Sequence, residues 1–345
     1  MRILIVGSFE YEMYSKAFVS GFLSLGHNVS WIDTNEYRYK HDVPGKVLSR
    51  FQDKYNFGLP LYRMNKDIIR AVEIQKPDFV FFYYCFTVSE STYRRIHELG
   101  ARFFTYCNDD PYGKILSKPW CFRFHRSIKL ADWNFVYRKK NVIDYQMDGI
   151  QSVSVLLPYY LNKNICGLRE TTHDLPISFI GHFENDGRDQ YINALLENNI
   201  PVTVFNGSYW EKAPLYESIK GCFQKGVSGE RYYETIQRSQ IAIIFLSKLN
   251  HDTYTRRCFE IPATKTCMLS EYTDDMNNLF PENECAVYFR SKEDFVNKCK
   301  YLLSNPDEIS RIAQNGYERL MEIGGSEVDR CREIIEKYNE IHEKE

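Results

Sequence analysis

The chain has 345 residues, 43% hydrophobic and 26% charged, with 44 Lys and Arg set against 46 Asp and Glu. That length exceeds what one hydrophobic core normally supports, so two domains are expected. The composition excludes a disordered or low-complexity protein, and no apolar run is long enough to cross a membrane.

Strand-length apolar runs are expected at Arg2–Val6, Asn28–Asp33, Asp78–Tyr84, Arg102–Cys107, Trp133–Tyr137 and Ser152–Leu156. Amphipathic helices fill the gaps at Ser15–Leu25, Asn65–Gln75, Ser89–Leu99 and Lys139–Met147. Continuous apolar strands with helical spacers predict an α/β domain with a parallel sheet covered on both faces. The stretch Tyr37–Tyr62 fits neither period and reads as a surface loop or short helices. The run Met1–Gly7 is a strand rather than a secretory leader, so a cytoplasmic protein is expected.

The pattern breaks into polar residues near Tyr159–His173, which reads as the linker between a domain of residues 1–165 and one of 176–325. The rhythm then restarts with strands at Pro176–Ile180, Val202–Phe205, Ile241–Leu246, Thr266–Ser270 and Ala286–Phe289. Helices are expected at Asp189–Glu197, Arg231–Arg238, Arg256–Ala263, Lys292–Ser304, Pro306–Ile323 and from Ser326 onward. Two tandem Rossmann-like, doubly wound sheets would bind ligand between them, at the carboxyl ends of their strands.

Charge is unevenly spread. Residues 1–165 carry 23 basic and 16 acidic side chains, and the remainder carries 21 and 30. Two segments make most of the basic excess: Tyr37–Lys66, seven against two, and Lys114–Lys140, eight against one. Basic residues interleaved with aromatics suit an acidic acceptor or the inner face of an anionic membrane, touched peripherally; the alternative is a solvated positive face. No nucleic-acid motif accompanies the charge, so nucleic acid is not an expected partner.

Several chemistries are excluded. The first strand–helix turn, Gly7-Ser-Phe-Glu-Tyr-Glu12, has one glycine where a dinucleotide fingerprint needs three. There is no phosphate loop, no GxSxG and no HExxH. The ten cysteines and eight histidines lack ligand spacing, so no metal site, cofactor or disulfide framework is expected.

The most telling stretch is Asp252-Thr-Tyr-Thr-Arg-Arg-Cys-Phe-Glu260-Ile-Pro-Ala263. Arg256 and Arg257 open a predicted helix, where a cation is unfavourable unless an anion joins it. Helix starts bind phosphate through free N–H groups. Glu260 lies about 6–8 Å further along the axis, the reach from a diphosphate to the ribose hydroxyls of one nucleotide. The spacing suggests a sugar-nucleotide site.

Phe179-Ile-Gly181 with Arg188, Val204-Phe-Asn-Gly207, Trp210, Tyr232-Tyr233 and Arg257-Cys-Phe-Glu260-Ile-Pro-Ala263 together resemble the group 1, GT4-like glycosyltransferases, nearest the CgeB-like spore-maturation branch. The tail agrees at Tyr288-Phe289, Leu302-Leu303-Ser-Asn-Pro306, Ile312-Ala313-Gln-Asn-Gly316 and Arg330. The likeness is good over residues 176–335; before that its best point is Asn108-Asp109-Asp110-Pro111, similar to an acidic-Pro turn of that branch.

The resemblance implies a GT-B fold, with the donor nucleotide held by the second domain and the last helix, 326–345, returning to the first. It puts Glu260 on the ribose hydroxyls and Asp252 at the acid that touches the donor sugar, where the family generally has the longer glutamate. Asp252, Thr253 and Thr255 also suit the helix N-cap, and Glu260 suits an ion pair with Arg256. Arg188, Arg256 and Arg257 are candidates to face the diphosphate, with Gly181, His182 and Thr255 beside the nucleotide. Asp109 and Asp110 are candidates for donor or acceptor contact or general-base help, the alternative being a plain Asp-Pro turn. Ser8, Phe9, Glu10 and Asn108 are further acceptor-side candidates.

The expected activity is metal-independent transfer from a nucleotide-diphosphate sugar, UDP-linked, to a glycan, protein or other hydroxyl acceptor, with retention implied by the family. A sugar-nucleotide epimerase and an inactive glycosyltransferase-like binding module are the alternatives.

Overall fold

The computed structural model describes residues 1–39, 43–113, 121–169, 172–205 and 209–343. The chain forms two compact units: Met1–Leu157 joined by the residues from Glu327 onward, and Pro158–Ser326. The motif positions Asn206 and Gly207, and Lys114 and Lys118 of the second basic segment, lie outside the described residues.

The first unit is a parallel six-stranded sheet of β1 (Arg2–Gly7), β2 (Asn28–Asp33), β3 (Phe79–Tyr83), β4 (Arg102–Cys107), β5 (Trp133–Val136) and β6 (Val153–Val155), in the order β2-β1-β3-β4-β5-β6. β3 reads Phe-Val-Phe-Phe-Tyr and every residue of it is buried. The pleat sends its side chains to opposite faces. Phe79 and Phe81 meet Phe22 on one side, while Phe82 meets Tyr93 on the other. A strand covered on both faces has no polar alternation, which is why it reads as one apolar block.

Tyr37–Tyr62, expected as loop or short helices, contains the helix Val43–Tyr55 and the start of a longer helix, Leu59–Gln75. The helix Val43–Tyr55 carries an apolar stripe of Val47, Leu48, Phe51 and Tyr55, and it is exposed rather than buried. The expected linker also holds a one-turn helix, Asn162–Cys166.

The carboxyl-terminal helix Glu327–His342 packs on helix Ala17–Ser24 in the first unit. Glycine at position 21 permits it: a Cβ there would lie 2.5 Å from Cys331 Sγ and 3.0 Å from the Glu327 carbonyl oxygen. Tyr338 of the same helix lies against Phe79 of β3. Returning the chain end to the first unit thus completes one face of its core.

The second unit repeats the architecture with β7 (Leu175–Ile180), β8 (Thr203–Phe205), β9 (Phe223–Gln224), β10 (Ser239–Ile244), β11 (Cys267–Glu271) and β12 (Val287–Phe289), all parallel, in the order β12-β11-β10-β7-β8-β9. Its core gathers Ile177, Phe179, Trp210, Ile243, Phe245 and Phe295 among others. The edge strand β9 was not expected; two residues are too few to carry a period.

In an exposed helix Gly→Ala adds up to about 1 kcal/mol through propensity. At position 21 overpacking opposes it, at about 1–3 kcal/mol. Gly21→Ala is therefore expected to lower the thermal unfolding midpoint by several degrees; a midpoint that rises would show that the helix pair yields without cost.

Candidate functional site

β7 is where the second sheet reverses its order: β8 and β9 lie to one side, and β10, β11 and β12 to the other. Ligands of open α/β sheets bind at the carboxyl ends of the strands flanking such a reversal. Here those ends are Ile180–Gly181 and the residues after Ile244.

Gly181 donates its N–H to the Phe205 carbonyl at 3.1 Å and accepts from Trp210 Nε1 at 2.9 Å. A Cβ on it would lie 2.8 Å from the Phe179 ring and 3.1 Å from Arg257 Nη2. Glycine is what lets the guanidinium reach the backbone. Arg257 opens the short helix Arg257–Ala263, sits 6.0 Å over the Phe179 ring, and keeps a buried Nε with no hydrogen-bond partner among the described residues. Arg256, just before it, lies 5.4 Å over the Tyr159 ring. The structure thus sets a half-buried cation at the strand end.

Arg188 is placed differently from the phosphate-facing role expected of it. Its side chain is buried and points inward: Nε and Nη2 form a two-pronged pair with Asp186 at 2.9 and 2.6 Å, and Nη1 donates to the His182 carbonyl at 2.7 Å. A buried guanidinium needs its donors satisfied, and the loop between Gly181 and Gly187 supplies the partners. Arg188 holds the loop together; it does not offer charge outward.

His182 is half-exposed, with Nε2 3.3 Å from Glu184 Oε1. Glu184 also accepts from Ser247 Oγ at 3.0 Å and lies 3.7 Å from Arg188. It therefore ties the β7 loop to the β10 loop. Burial raises its carboxyl pKa, but the His182 hydrogen bond, the Arg188 charge and the Ser247 hydroxyl outweigh this and hold it below the ordinary range. Asp252 closes the β10 loop by donating its N–H to the Ser247 carbonyl at 2.9 Å. Thr255, one residue before the N-cap position held by Arg256, accepts from the Arg257 N–H through its hydroxyl oxygen at 3.4 Å.

Glu260 is 3% exposed, deeper than a solvated helix carboxylate. Its partners are tyrosine hydroxyls, not the guanidinium of Arg256: Tyr232 donates to Oε2 at 2.6 Å and Tyr233 to Oε1 at 3.2 Å. Burial first, then the Glu260 charge, push both hydroxyls well above their ordinary pKa, so they remain donors.

The first-unit candidates split. Asp110 is buried in its turn, accepting from the Tyr112 N–H at 3.0 Å and from Asn141 Nδ2 at 2.8 Å, with Lys140 at 3.7 Å. A carboxylate so enclosed is a turn anchor, which corrects the catalytic expectation for Asp110. Asp109 accepts from the Tyr84 hydroxyl, and the Asn108 carbonyl from Arg138 at 3.0 Å. Ser8 accepts from Asn35 Nδ2 at 2.8 Å and from the Glu10 N–H at 3.4 Å, and the Phe9 N–H is held by Asp33. These contacts build the loops after β1 and β4. Glu10 remains exposed.

Among the described residues no group of three His, Cys, Asp or Glu side chains is arranged to hold a metal ion.

Residues 188–323 match the model of the glycosyl transferase-like family. No curated protein matches the sequence. Among solved structures, a glycosyltransferase from Rickettsia africae aligns at TM-score 0.67 and 14% identity, covering 100% of this chain and 99% of that one. HepE of Anabaena, solved with UDP-glucose, aligns at 0.66 and 8% identity over 99% and 100%. Sucrose-phosphate synthase from Thermosynechococcus elongatus aligns at 0.65 and 9% identity over both whole chains. The fold is GT-B. Of the GT-B chain's own residues, sequence reasoning overlooked Glu184, Asp186 and Ser247, and gave Tyr232 and Tyr233 no task. Two acids flanking a loop that ends in Arg188 were the available signal.

A carboxylate whose pKa is lower in the folded than in the unfolded state adds stability above about pH 4.3, lost as pH falls through the folded value. Glu184→Gln should lower the unfolding midpoint at neutral pH and flatten its decline on acidification to about pH 3. A decline as steep as that of the parent protein would show that Glu184 is not the coupled group.

Proposed function

We propose that the chain is a glycosyltransferase that takes its sugar from a nucleotide-diphosphate donor, UDP-linked, bound at the carboxyl ends of β7 and β10. The observation that carries this reading is the Arg257 guanidinium seated against Gly181, its Nε buried and unpartnered. A diphosphate supplies the anion that such a cation lacks, through charge-assisted hydrogen bonds of about 1.5–3 kcal/mol. The helix it opens has seven residues, and its first N–H is already taken by Thr255, so the helix dipole contributes less, on the order of 0.3–1 kcal/mol. The arginines, not the helix, dominate. The match over residues 188–323 and the similar structures solved with UDP and UDP-glucose support the donor class.

Glu260 is assigned to the ribose. An ionised carboxylate has about four lone-pair positions. Two are held by Tyr232 and Tyr233, and two remain for a cis-diol. Asp252, on the loop tied to Ser247, is assigned to the donor sugar. Chemically, the reaction needs stabilisation of a departing diphosphate, and fixed guanidiniums provide it where charge develops without reorganising. No metal is assigned. Asp110 is committed to its turn, so deprotonation of the acceptor hydroxyl falls to the leaving phosphate, consistent with the retention that the family resemblance implies.

Thermal-shift and calorimetric titration with nucleotides test the reading, since a ligand at 100 times its dissociation constant adds about 2.7 kcal/mol. UDP and one UDP-sugar are expected to stabilise the protein. Arg257→Ala should weaken UDP binding about 10- to 100-fold, or roughly 1.4–2.8 kcal/mol. Glu260→Ala should discriminate against the nucleoside while leaving inorganic diphosphate binding unchanged. Absence of any nucleotide response, or wild-type affinity in folded Arg257→Ala, overturns the proposal. Conversion of a UDP-sugar to its epimer without an acceptor would replace transfer by epimerisation.

A further inference from the structure

The helix Val43–Tyr55 is turned inside out. Its buried positions among the described residues are Gly45 and Gln52, with Ser49 half-buried, and Asn56 just after it is buried too. Gln52 Nε2 donates to the Tyr37 carbonyl at 2.9 Å, so polar contacts attach this face to the fold. The apolar residues point the other way: Val47, Leu48, Phe51 and Tyr55 are 62%, 44%, 51% and 49% exposed. At 3.6 residues per turn these four share an arc of about 100°, the width of a core-facing stripe. Lys46, Arg50 and Lys54 occupy the adjoining arc of about 80° and are exposed as well.

Exposed apolar side chains recur past the helix. Phe57, Leu59 and Tyr62 are 67%, 54% and 56% exposed, and Arg63 and Lys66 extend the basic margin. Lys54 and Lys66 lie over the rings of Tyr55 and Tyr62, at 5.1 and 4.7 Å. The helix stripe, with the Phe51 and Tyr55 rings 4.6 Å apart and a basic margin beside it, has the form of an interaction surface, whereas scattered exposed residues do not.

We propose that this face of the first unit docks on an anionic phospholipid surface. An apolar stripe rich in aromatic side chains, flanked by a row of Lys and Arg, is the design of a helix lying in the plane of a bilayer interface. The stripe enters the acyl boundary, while the three cations meet anionic headgroups alongside it. The chain as a whole carries a formal charge of −2, so the attraction is local to this patch. No helix among the described residues is long and apolar enough to cross a membrane, and the contact is therefore peripheral. For an enzyme acting on sugars, such a surface would favour a lipid-anchored acceptor, but the docking stands without that activity.

Co-sedimentation of the full chain with vesicles tests it. Binding is expected with phosphatidylcholine–phosphatidylglycerol vesicles, to weaken with added salt, and to be absent with phosphatidylcholine alone. Phe51→Asp and Val47→Asp should each cut binding about tenfold or more, and each of Lys46→Ala, Arg50→Ala and Lys54→Ala about fivefold. All five positions are exposed, so thermal unfolding should be unchanged. Ile74→Asp, at a position 69% exposed on the next helix, should bind as the parent protein does. Nucleotide affinity of Phe51→Asp should also be unaltered, which separates this failure from failure of the donor site. The proposal is overturned if neutral and anionic vesicles bind alike, if Phe51→Asp still binds, or if the substitutions abolish self-association while no vesicle binding occurs, since the patch would then belong to a second copy of the chain.

Discussion

The approach of the Arg257 guanidinium to the backbone of Gly181 is the constraint on which the candidate site rests. It requires two things at once: no side chain at position 181 and a strand end held still beside β10. The second condition is met from the β8 side. Phe205 accepts its N–H, the Trp210 indole donates to its carbonyl, and Phe179 supports the guanidinium from below. A cation so placed is partly desolvated yet not neutralised by a partner on Nε. That is an arrangement a core would avoid and a binding site can use.

The loop after β7 is rigidified at some cost. Arg188, Asp186 and Glu184 are taken largely out of water, and a buried ion pair seldom gains stability over apolar packing. What it gives instead is direction. The planar guanidinium fixes Asp186 and the His182 carbonyl, and Glu184 then reaches Ser247 on the neighbouring loop. Two strand exits thereby share one polar network. Tyr232 and Tyr233 do the same for Glu260 from a different helix, orienting a carboxylate that would otherwise choose among rotamers.

The first unit uses the same sheet architecture with different surface chemistry. Its acidic turn is spent on structure, Asp110 being enclosed by Tyr112, Asn141 and Lys140. Part of its basic excess lies on helix Val43–Tyr55, where Lys46, Arg50 and Lys54 stand in a row beside an exposed apolar stripe.

Most strands, the tandem α/β plan and the segment Arg256–Ala263 were legible in the sequence, because buried parallel strands are unbroken apolar runs and Gly, Pro and Asn mark their ends. Glu260 and Arg257 could be singled out because their spacing on one short element is local information. Where each charge points is settled by folding. Arg188 and Asp110 look like site residues in one dimension, yet Arg188 is turned inward onto Asp186 and the His182 carbonyl of its own loop, and Asp110 is enclosed by Asn141 on a helix about thirty positions on. Likewise, the apolar stripe of helix Val43–Tyr55 is present in the sequence, but that it faces outward is decided only by the fold. Sequence alone determined which elements form and where chemistry could gather; tertiary structure decided which charges are satisfied internally and which face outward, because desolvation and hydrogen bonding depend on neighbours distant in the chain.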